Sequence, residues 1–362
     1  MKDKLELLLL LSYVKGIGPK RMEFITTKVN SIMELKERFT EISQELDNQT
    51  VENLRKIMNN FCLEETILKY KEKNIKILIK EDPDYPMLLK EIYDPPLIIF
   101  CKGNVELLKN LNNIAIVGSR KGSFYGKKVA QEMGEFLSEH KFTITSGMAS
   151  GIDAWAHKGA LEGEGSSIGV LGCGLDIIYP RQNEKLYREM EEKGLLLSTF
   201  PLGTLPLPGN FPARNRIISG LAKGVVVVEA GFKSGSLITA DFALSQGRDV
   251  FAVPGNIHSV LSAGTNKLLK DGAIVVTKYD DILAEYNVKY SYEQQRGDSD
   301  LTTVEKAIAK ATMGQEFSVE YLVLSTGLEI SQILSNLITL EINGLIKKVG
   351  FNTYQWVGKV DF

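Results

Sequence analysis

The sequence predicts an α/β protein built on a doubly wound parallel sheet, and three observations carry that prediction. First, short apolar runs recur between 114 and 277, at Ile114–Val117, Phe142–Thr145, Ser167–Leu171, Leu195–Thr199, Val225–Glu229, Val250–Val253 and Ala273–Val276. Unbroken runs suit strands buried on both faces. Second, segments with helical spacing lie between most of them, including Phe124–His140, Gly151–Leu161, Pro212–Ala222 and Ser236–Gln246. Such alternation means βαβ units with right-handed crossovers. Third, small-residue turns follow the strand carboxyl ends, where sheets of this kind bind ligands.

The chain is organised around Ile114–Arg120, Ile-Ala-Ile-Val-Gly-Ser-Arg. A strand, a turn at Gly118 and a helix with Val129, Met133, Phe136 and Leu137 on one face put backbone N–H groups at a helix N-terminus, where an anion can sit. Arg120 can add a bidentate contact to a phosphate. An ordinary strand-to-helix turn with a solvated Arg remains the alternative for this stretch alone.

Composition sets the frame. The chain has 362 residues and a formal net charge of −2, so a polyanion has to be held by a local patch. Three cysteines, Cys62, Cys101 and Cys173, are too few and too scattered for a disulfide framework or a zinc site. No apolar run approaches the ~20 residues of a membrane span. The Leu7–Leu11 run is short and flanked by acids, which argues against a signal peptide. These features predict a soluble cytoplasmic protein without membrane contact.

Residues 1–74 read as an all-helical domain, SAM/helix-hairpin-helix-like, with helices at Leu5–Val14, Pro19–Val29 and Val51–Lys73. Gly16-Ile17-Gly18-Pro19-Lys20-Arg21 resembles the hairpin of helix-hairpin-helix modules, where glycines expose N–H groups and Lys20 and Arg21 reach a phosphate. The competing reading is a turn with Pro at the first helical position. With 13 Lys/Arg against 12 Asp/Glu in residues 1–74, no field favours nucleic acid there, and a structural or weakly binding module is expected. Ile75–Ile79 and Leu97–Cys101 read as edge strands, because Pro83, Pro86, Pro95 and Pro96 stand beside them. They are expected to extend the central sheet in a domain spanning 75–285.

The turns at the strand ends carry the chemistry. Ser146–Asp153 follows the second strand of the alternating region, Pro201–Gly220 the fourth and Glu229–Ala240 the fifth. Each offers small residues or backbone donors. Arg120, Arg214, Arg216 and Lys233 are spread among four turns at one sheet edge, which points to a phosphate-binding pocket.

Val117–Arg120, Ser146–Leu161 and Phe211–Leu221 closely resemble the bacterial DNA-processing protein A family, also called Smf. Gly172-Cys173-Gly174-Leu175-Asp176 with Tyr179-Pro180, Val227–Ala240 and Gly247–Gly255 fit it too, so the likeness is dense over about 85–285. Thr199-Phe200 departs from the Ser-Glu-like pair expected there, outside the proposed phosphate contacts. The resemblance implies an extended Rossmann-like fold and a non-catalytic, cofactor-free protein. It would bind single-stranded DNA, protect incoming DNA, form a homodimer and load the RecA recombinase during natural transformation. By motif position, Gly118, Ser119, Arg120, Gly147, Gly151, Arg214, Asn215, Arg216, Lys233, Gly235 and Ser236 would line the DNA pocket. Dimerisation is expected around Gly264–Val276, where Leu268, Leu269, Ile274, Val275 and Val276 exceed the apolar content a last helix and edge strand need, with core packing of a terminal unit as the competing reading.

Residues 286–300 read as a polar linker. Leu301–Ala311, Ser318–Ser325 and Glu329–Ile342 then read as helices, and Gly344–Val357 as a two-stranded wing, a winged-helix outline over 301–362. Its would-be recognition helix carries no Lys or Arg, and 301–362 holds 5 cations against 6 anions, so a protein-contact module is expected.

Asp153 and His157, at i and i+4, read as capping and packing, not as metal ligands or catalysts. His140 and His258 have no partners in metal-ligand spacing. Cys173 reads as tight packing after a strand, with an exposed thiol as the alternative. No Gly-x4-Gly-Lys-[Ser/Thr] occurs and no Gly-x-Gly-x-x-Gly follows a strand, which argues against a P-loop ATPase and a dinucleotide cofactor. The rival class is a nucleotide-processing enzyme of the lysine-decarboxylase-like phosphoribohydrolase type, with Glu229 or Asp241 as acid or base. Against it, Glu229–Ser236 has Lys233 in the middle and lacks that group's Pro-Gly-Gly-x-Gly-Thr turn.

Overall fold

The computed structural model describes residues 2–288, 302–312, 316–342, 345–350 and 352–356. These form two compact units, 2–288 and the described residues beyond 301. The first is an α/β unit with strands β1 (Ile75–Ile79), β2 (Ile98–Gly103), β3 (Asn113–Val117), β4 (Thr143–Ser146), β5 (Ser167–Leu171), β6 (Leu195–Ser198), β7 (Gly224–Val227), β8 (Asp249–Ala252) and β9 (Ile274–Val275). They lie in the order β1-β2-β6-β5-β4-β3-β7-β8-β9. From β6 to β9 every pairing is parallel, with Ile114 beside Ile144 on one flank and Gly224 on the other.

β3 is central, and the chain winds outward from it first through β4, β5 and β6, then through β7, β8 and β9. The loops after β3 and β7 therefore diverge to opposite faces and leave a crevice between them. Alternation along the strands divides the core. Ile98, Phe100 and Leu196 belong to a cluster on one face, and Ile99, Cys101, Leu195 and Leu197 to a cluster on the other.

β1 and β2 join antiparallel to the rest, with β2 between β1 and β6. Only β1 of this pair is an edge strand, which corrects the expectation for β2. Pro95 and Pro96 precede β2, so each of its residues keeps its N–H for the ladder.

The N-terminal helices share the first cluster with the sheet. Leu7–Leu11 are all at most 2% exposed inside the helix Lys2–Ser12, a helix surrounded on every side. Tyr70 stacks on Phe100 at 5.1 Å and its hydroxyl meets that of Tyr13 at 3.1 Å. The long helix expected at Val51–Lys73 is two, Asn48–Asn60 and Leu63–Glu72, broken where Phe61 and Cys62 turn extended. In the Gly16–Arg21 hairpin, Arg21 folds back onto the carbonyl of Gly16 at 2.9 Å and pairs with Asp47 at 2.8 Å. That is the geometry of a closed structural turn.

The second unit has helices Thr303–Thr312, Val319–Thr326 and Ile330–Ile342 and an antiparallel sheet of three short strands, Glu316–Ser318, Thr353–Trp356 and Ile346–Gly350. Its core is Ile308, Phe317, Leu322, Ile333, Leu337 and Leu340. Of the expected linker, 289–300 lies outside the described residues, as do Gly344, Phe351 and Val357 of the expected wing. Among the described residues, no single helix is long and apolar enough to cross a membrane.

Candidate nucleic-acid interface

The crevice beside β3 is closed by two glycines. Gly151 has φ +79°, and a Cβ on it would stand 2.3 Å from the carbonyl of Ser119. Only Gly lets the turn after β4 lie against the turn after β3. Gly118 is also tightly packed, 2.9 Å from the carbonyl of Glu229 by the same measure. The N–H of Ser119 donates to that carbonyl at 2.7 Å, tying the first turn to the turn after β7. Three turns thus meet at one edge.

A groove of about 540 Å³ opens there, lined by Gly118, Arg120, Asp153, Tyr179, Phe211, Arg214, Asn215, Ser234, Gly235 and Ser236 among others. A smaller cavity of about 50 Å³ adjoins it, sharing Arg120, Tyr179, Phe211 and Arg214 and adding Gly147 and Cys173. Arg120 is exposed, and its guanidinium carbon lies 5.1 Å from the centre of the Phe211 ring. The Tyr179 and Phe211 rings are 5.5 Å apart. An exposed cation and two aromatic rings therefore share one mouth.

Arg214 is a different kind of arginine. It is 4% exposed. Its Nη1 donates to the carbonyls of Gly147 and Val170, and Nε to Oδ1 of Asn215. Gly147 supplies the room, since a Cβ there would stand 2.8 Å from the guanidinium. Asn215 in turn donates to the Gly235 carbonyl at 3.2 Å, joining the helix Asn210–Leu221 to the start of the helix Gly235–Ser245. The cation organises the floor of the site, while Arg120 faces the opening.

Other expected site residues sit elsewhere. Arg216 points away from the groove, its Nη1 donating to the carbonyl and carboxylate of Asp94 at 2.6 and 3.2 Å. The reason is helical: two positions from Arg214 is a 200° rotation, so the two side chains leave on opposite sides. Lys233 is exposed on the loop that leads into Ser234, at the groove's rim and not in its lining. Ser119 and Gly151 shape the turns without lining the groove. Phe211 and Tyr179 were not among the residues singled out, although Phe211 stands three positions before Arg214 on the same helical face.

Glu229, the rival's candidate acid, is 5% exposed, and both its oxygens are taken. They accept from the N–H and hydroxyl of Ser123, the cap of the helix Phe124–Glu139, at 2.8 and 2.5 Å. Asp241 is exposed on the helix Gly235–Ser245 and outside the groove. Cys173 is buried, which pushes its thiol up to about 11 and keeps it protonated.

Asp153 and His157 are both buried and take different hydrogen-bond partners. Asp153 accepts from the N–H groups of Gly147 and Ala149 at 3.2 and 3.4 Å. Among the described residues no cluster could hold a metal.

The residues 76–287 match the family profile of DNA recombination-mediator protein A, more than half of the chain. The chain belongs to that family. It is 43% identical to the DNA processing protein DprA of Bacillus subtilis over 63% of this chain and 78% of that one. The crystal structure of DprA from Streptococcus pneumoniae superposes with a TM-score of 0.66 at 36% identity, covering 77% of this chain and 97% of that one. DprA from Helicobacter pylori, solved to show its single-stranded DNA binding mode, gives 0.55 at 31% identity over 60% and 97%. Membership in that family places the chain with DNA-processing mediators and not with enzymes. The groove described above lies within the matched residues.

His157 gives this unit an expected pH response. Ser167 Oγ donates to the Ile144 carbonyl at 2.7 Å, so it accepts from His157 Nδ1–H, also at 2.7 Å. Nε2 is buried and has no hydrogen-bond partner among the described residues. Burial, with Arg214 adding to it, pushes the imidazole down to about 3. Below its unfolded value of ~6.5 the unfolded chain binds the extra proton, so stability falls as pH drops towards about 3. Burial raises the pKa of Asp153 against the pull of Arg214, which acts in the opposite sense at the acid end. The expected limiting slope from His157 is about 1.4 kcal/mol per pH unit. Thermal melts between about pH 6.5 and 4.5 should show it, and His157→Gln should flatten it. An unchanged slope in that variant would assign the response to other groups.

Proposed function

We propose that this chain is a single-stranded-DNA-binding recombination mediator whose crevice beside β3 holds the strand. One observation carries the reading: an exposed arginine, without an ion pair among the described residues, stands over an aromatic ring beside a second ring at the mouth of a groove. Cations that follow the backbone next to rings that stack bases are what single strands require, and duplexes offer no free base face. Arg120 takes a phosphate, Phe211 and Tyr179 take bases, and the N–H groups at the start of the helix Gly235–Ser245 add donors. Gly118, Gly147, Asn215 and Ser236 shape and polarise the lining, and Lys233 extends the positive rim.

By family, the chain would act in the cytoplasm, protect incoming DNA and load RecA during natural transformation. The homodimer is proposed to form at the edge strand β9 and the preceding helix Ala263–Lys270. There Val275 is 46% exposed, and Leu268, Leu269 and Ile274 are only half-buried. We read the three helices and three strands of the second unit as a winged helix. We propose domain limits of 1–74, 75–285 and 301–362 around a linker at 286–300, although Tyr286 still packs in the first unit, its hydroxyl donating to Asp249 at 2.9 Å.

The test is fluorescence anisotropy with an oligo-dT strand and a duplex of equal length across a salt series. The single strand should bind at least about tenfold tighter. Phe211→Ala should lose roughly 1–3 kcal/mol of single-strand affinity while leaving the salt slope unchanged, since stacking releases no counterions. Equal affinity for duplex and single strand would defeat the proposal, as would parent-like binding by Phe211→Ala.

A further inference from the structure

We propose that the outer face of the helix Ile330–Ile342 is a docking site for a basic amphipathic helix of a partner protein. The helix has two apolar faces. Ile333, Leu337 and Leu340 are at most 1% exposed and fill the core of the second unit. Ile330, Leu334 and Ile338, at i, i+4 and i+8, are 55%, 41% and 59% exposed. They form a line about 12 Å long, two turns of helix. Leu324, on the preceding helix Val319–Thr326, is 88% exposed. Solvated positions of a helix normally carry polar side chains, so an apolar line of this length calls for a cover.

Charge selects the cover. Glu316, Glu320, Glu329 and Glu341 are exposed on and beside these two helices, and residues 316–342 contain no Lys or Arg. The described cations of this unit are on other elements: Lys306 and Lys310 on the helix Thr303–Thr312, Lys347 and Lys348 on the strand Ile346–Gly350. A second copy meeting this face across a two-fold axis would set these glutamates against themselves. A DNA backbone or an anionic membrane would be repelled as well. An apolar stripe flanked by Lys and Arg complements both the shape and the sign, the helix-on-helix mode of peptide recognition. This reading stands apart from the strand-binding groove and does not depend on it.

The test uses the full chain and two fluorescent synthetic helices with one leucine register, one carrying lysines and the other glutamates between the leucines. The lysine helix should bind saturably and at least about tenfold tighter than the glutamate helix, and rising salt should narrow the gap. The double variant Leu334→Ser with Ile338→Ser should weaken it about tenfold or more, with unchanged melting because both side chains are solvated. Ile257→Ser, an 84% exposed position in the other unit, should bind as the parent does. The proposal is overturned if the double variant binds the lysine helix like the parent. It is equally overturned if the double variant instead loses duplex DNA binding, co-sedimentation with phosphatidylglycerol vesicles, or self-association.

Discussion

Arg120→Ala is expected to reduce single-stranded DNA affinity about tenfold or more while leaving the melting temperature unchanged. Among the described residues its side chain makes no ion pair, and it lies over the Phe211 ring at 5.1 Å. Little folding energy is therefore lost with it. A charge-assisted contact to phosphate contributes on the order of 1.5–3 kcal/mol. A net charge of −2 means that no surrounding field replaces the missing cation. If the contact is to phosphate, different base sequences should suffer alike, and the salt slope should fall by about 0.7 for the one contact. That separates this variant from Phe211→Ala, whose loss leaves the slope alone. Arg188→Ala removes a surface arginine paired with Glu184 at 2.7 Å and serves as the control. Arg216→Ala should lower stability and spare binding, because its partner is Asp94 and its side chain is 12% exposed. Parent-like binding by Arg120→Ala at physiological salt would remove the groove from consideration.

Arg214→Ala should do the reverse in order of severity, unfolding the site before any question of binding arises. Its guanidinium satisfies the carbonyls of Gly147 and Val170 and is the cation nearest in influence to the buried Asp153. Truncation leaves two buried acceptors and a carboxylate without that compensation, a loss of about 3–5 kcal/mol. For a unit of this size the melting temperature should fall on the order of 10 °C. Arg214→Lys should recover little, since a point charge on a flexible stem cannot serve two carbonyls and Asn215 together. Single-strand binding should weaken in parallel with stability, and combination with Arg120→Ala should be non-additive because the two share Phe211. Calorimetry showing an unchanged transition for Arg214→Ala would refute the structural assignment of this residue.

The two arginines show where reading the chain succeeds and where it stops. Ile114–Arg120, Ser146–Asp153 and Glu229–Ser236 are local devices: apolar run, small-residue turn, helix start. Each is encoded within about ten residues, so their meeting at one sheet edge follows from alternation alone. Helical phase could also have been read from the sequence. Arg214 and Arg216 differ by two positions on one helix, which already sends them to opposite faces. Likewise Phe211, three before Arg214, shares its face.

What the sequence determined by itself is therefore the layered α/β architecture, the family and the edge where the site lies, because periodicity and turn chemistry act over short stretches. The tertiary structure decided the division of labour. Whether a cation is spent internally depends on which carbonyls and carboxylates the fold brings within hydrogen-bond reach, and those come from positions far apart in the chain. Asp94 claims Arg216 across 122 residues, Gly147 claims Arg214 across 67, and Ser123 claims Glu229 across 106. No spacing rule encodes such pairings, since burial sets their strength and the sheet order sets their partners. Among the described residues Arg120 makes no ion pair, and its guanidinium lies over the Phe211 ring at the groove's mouth.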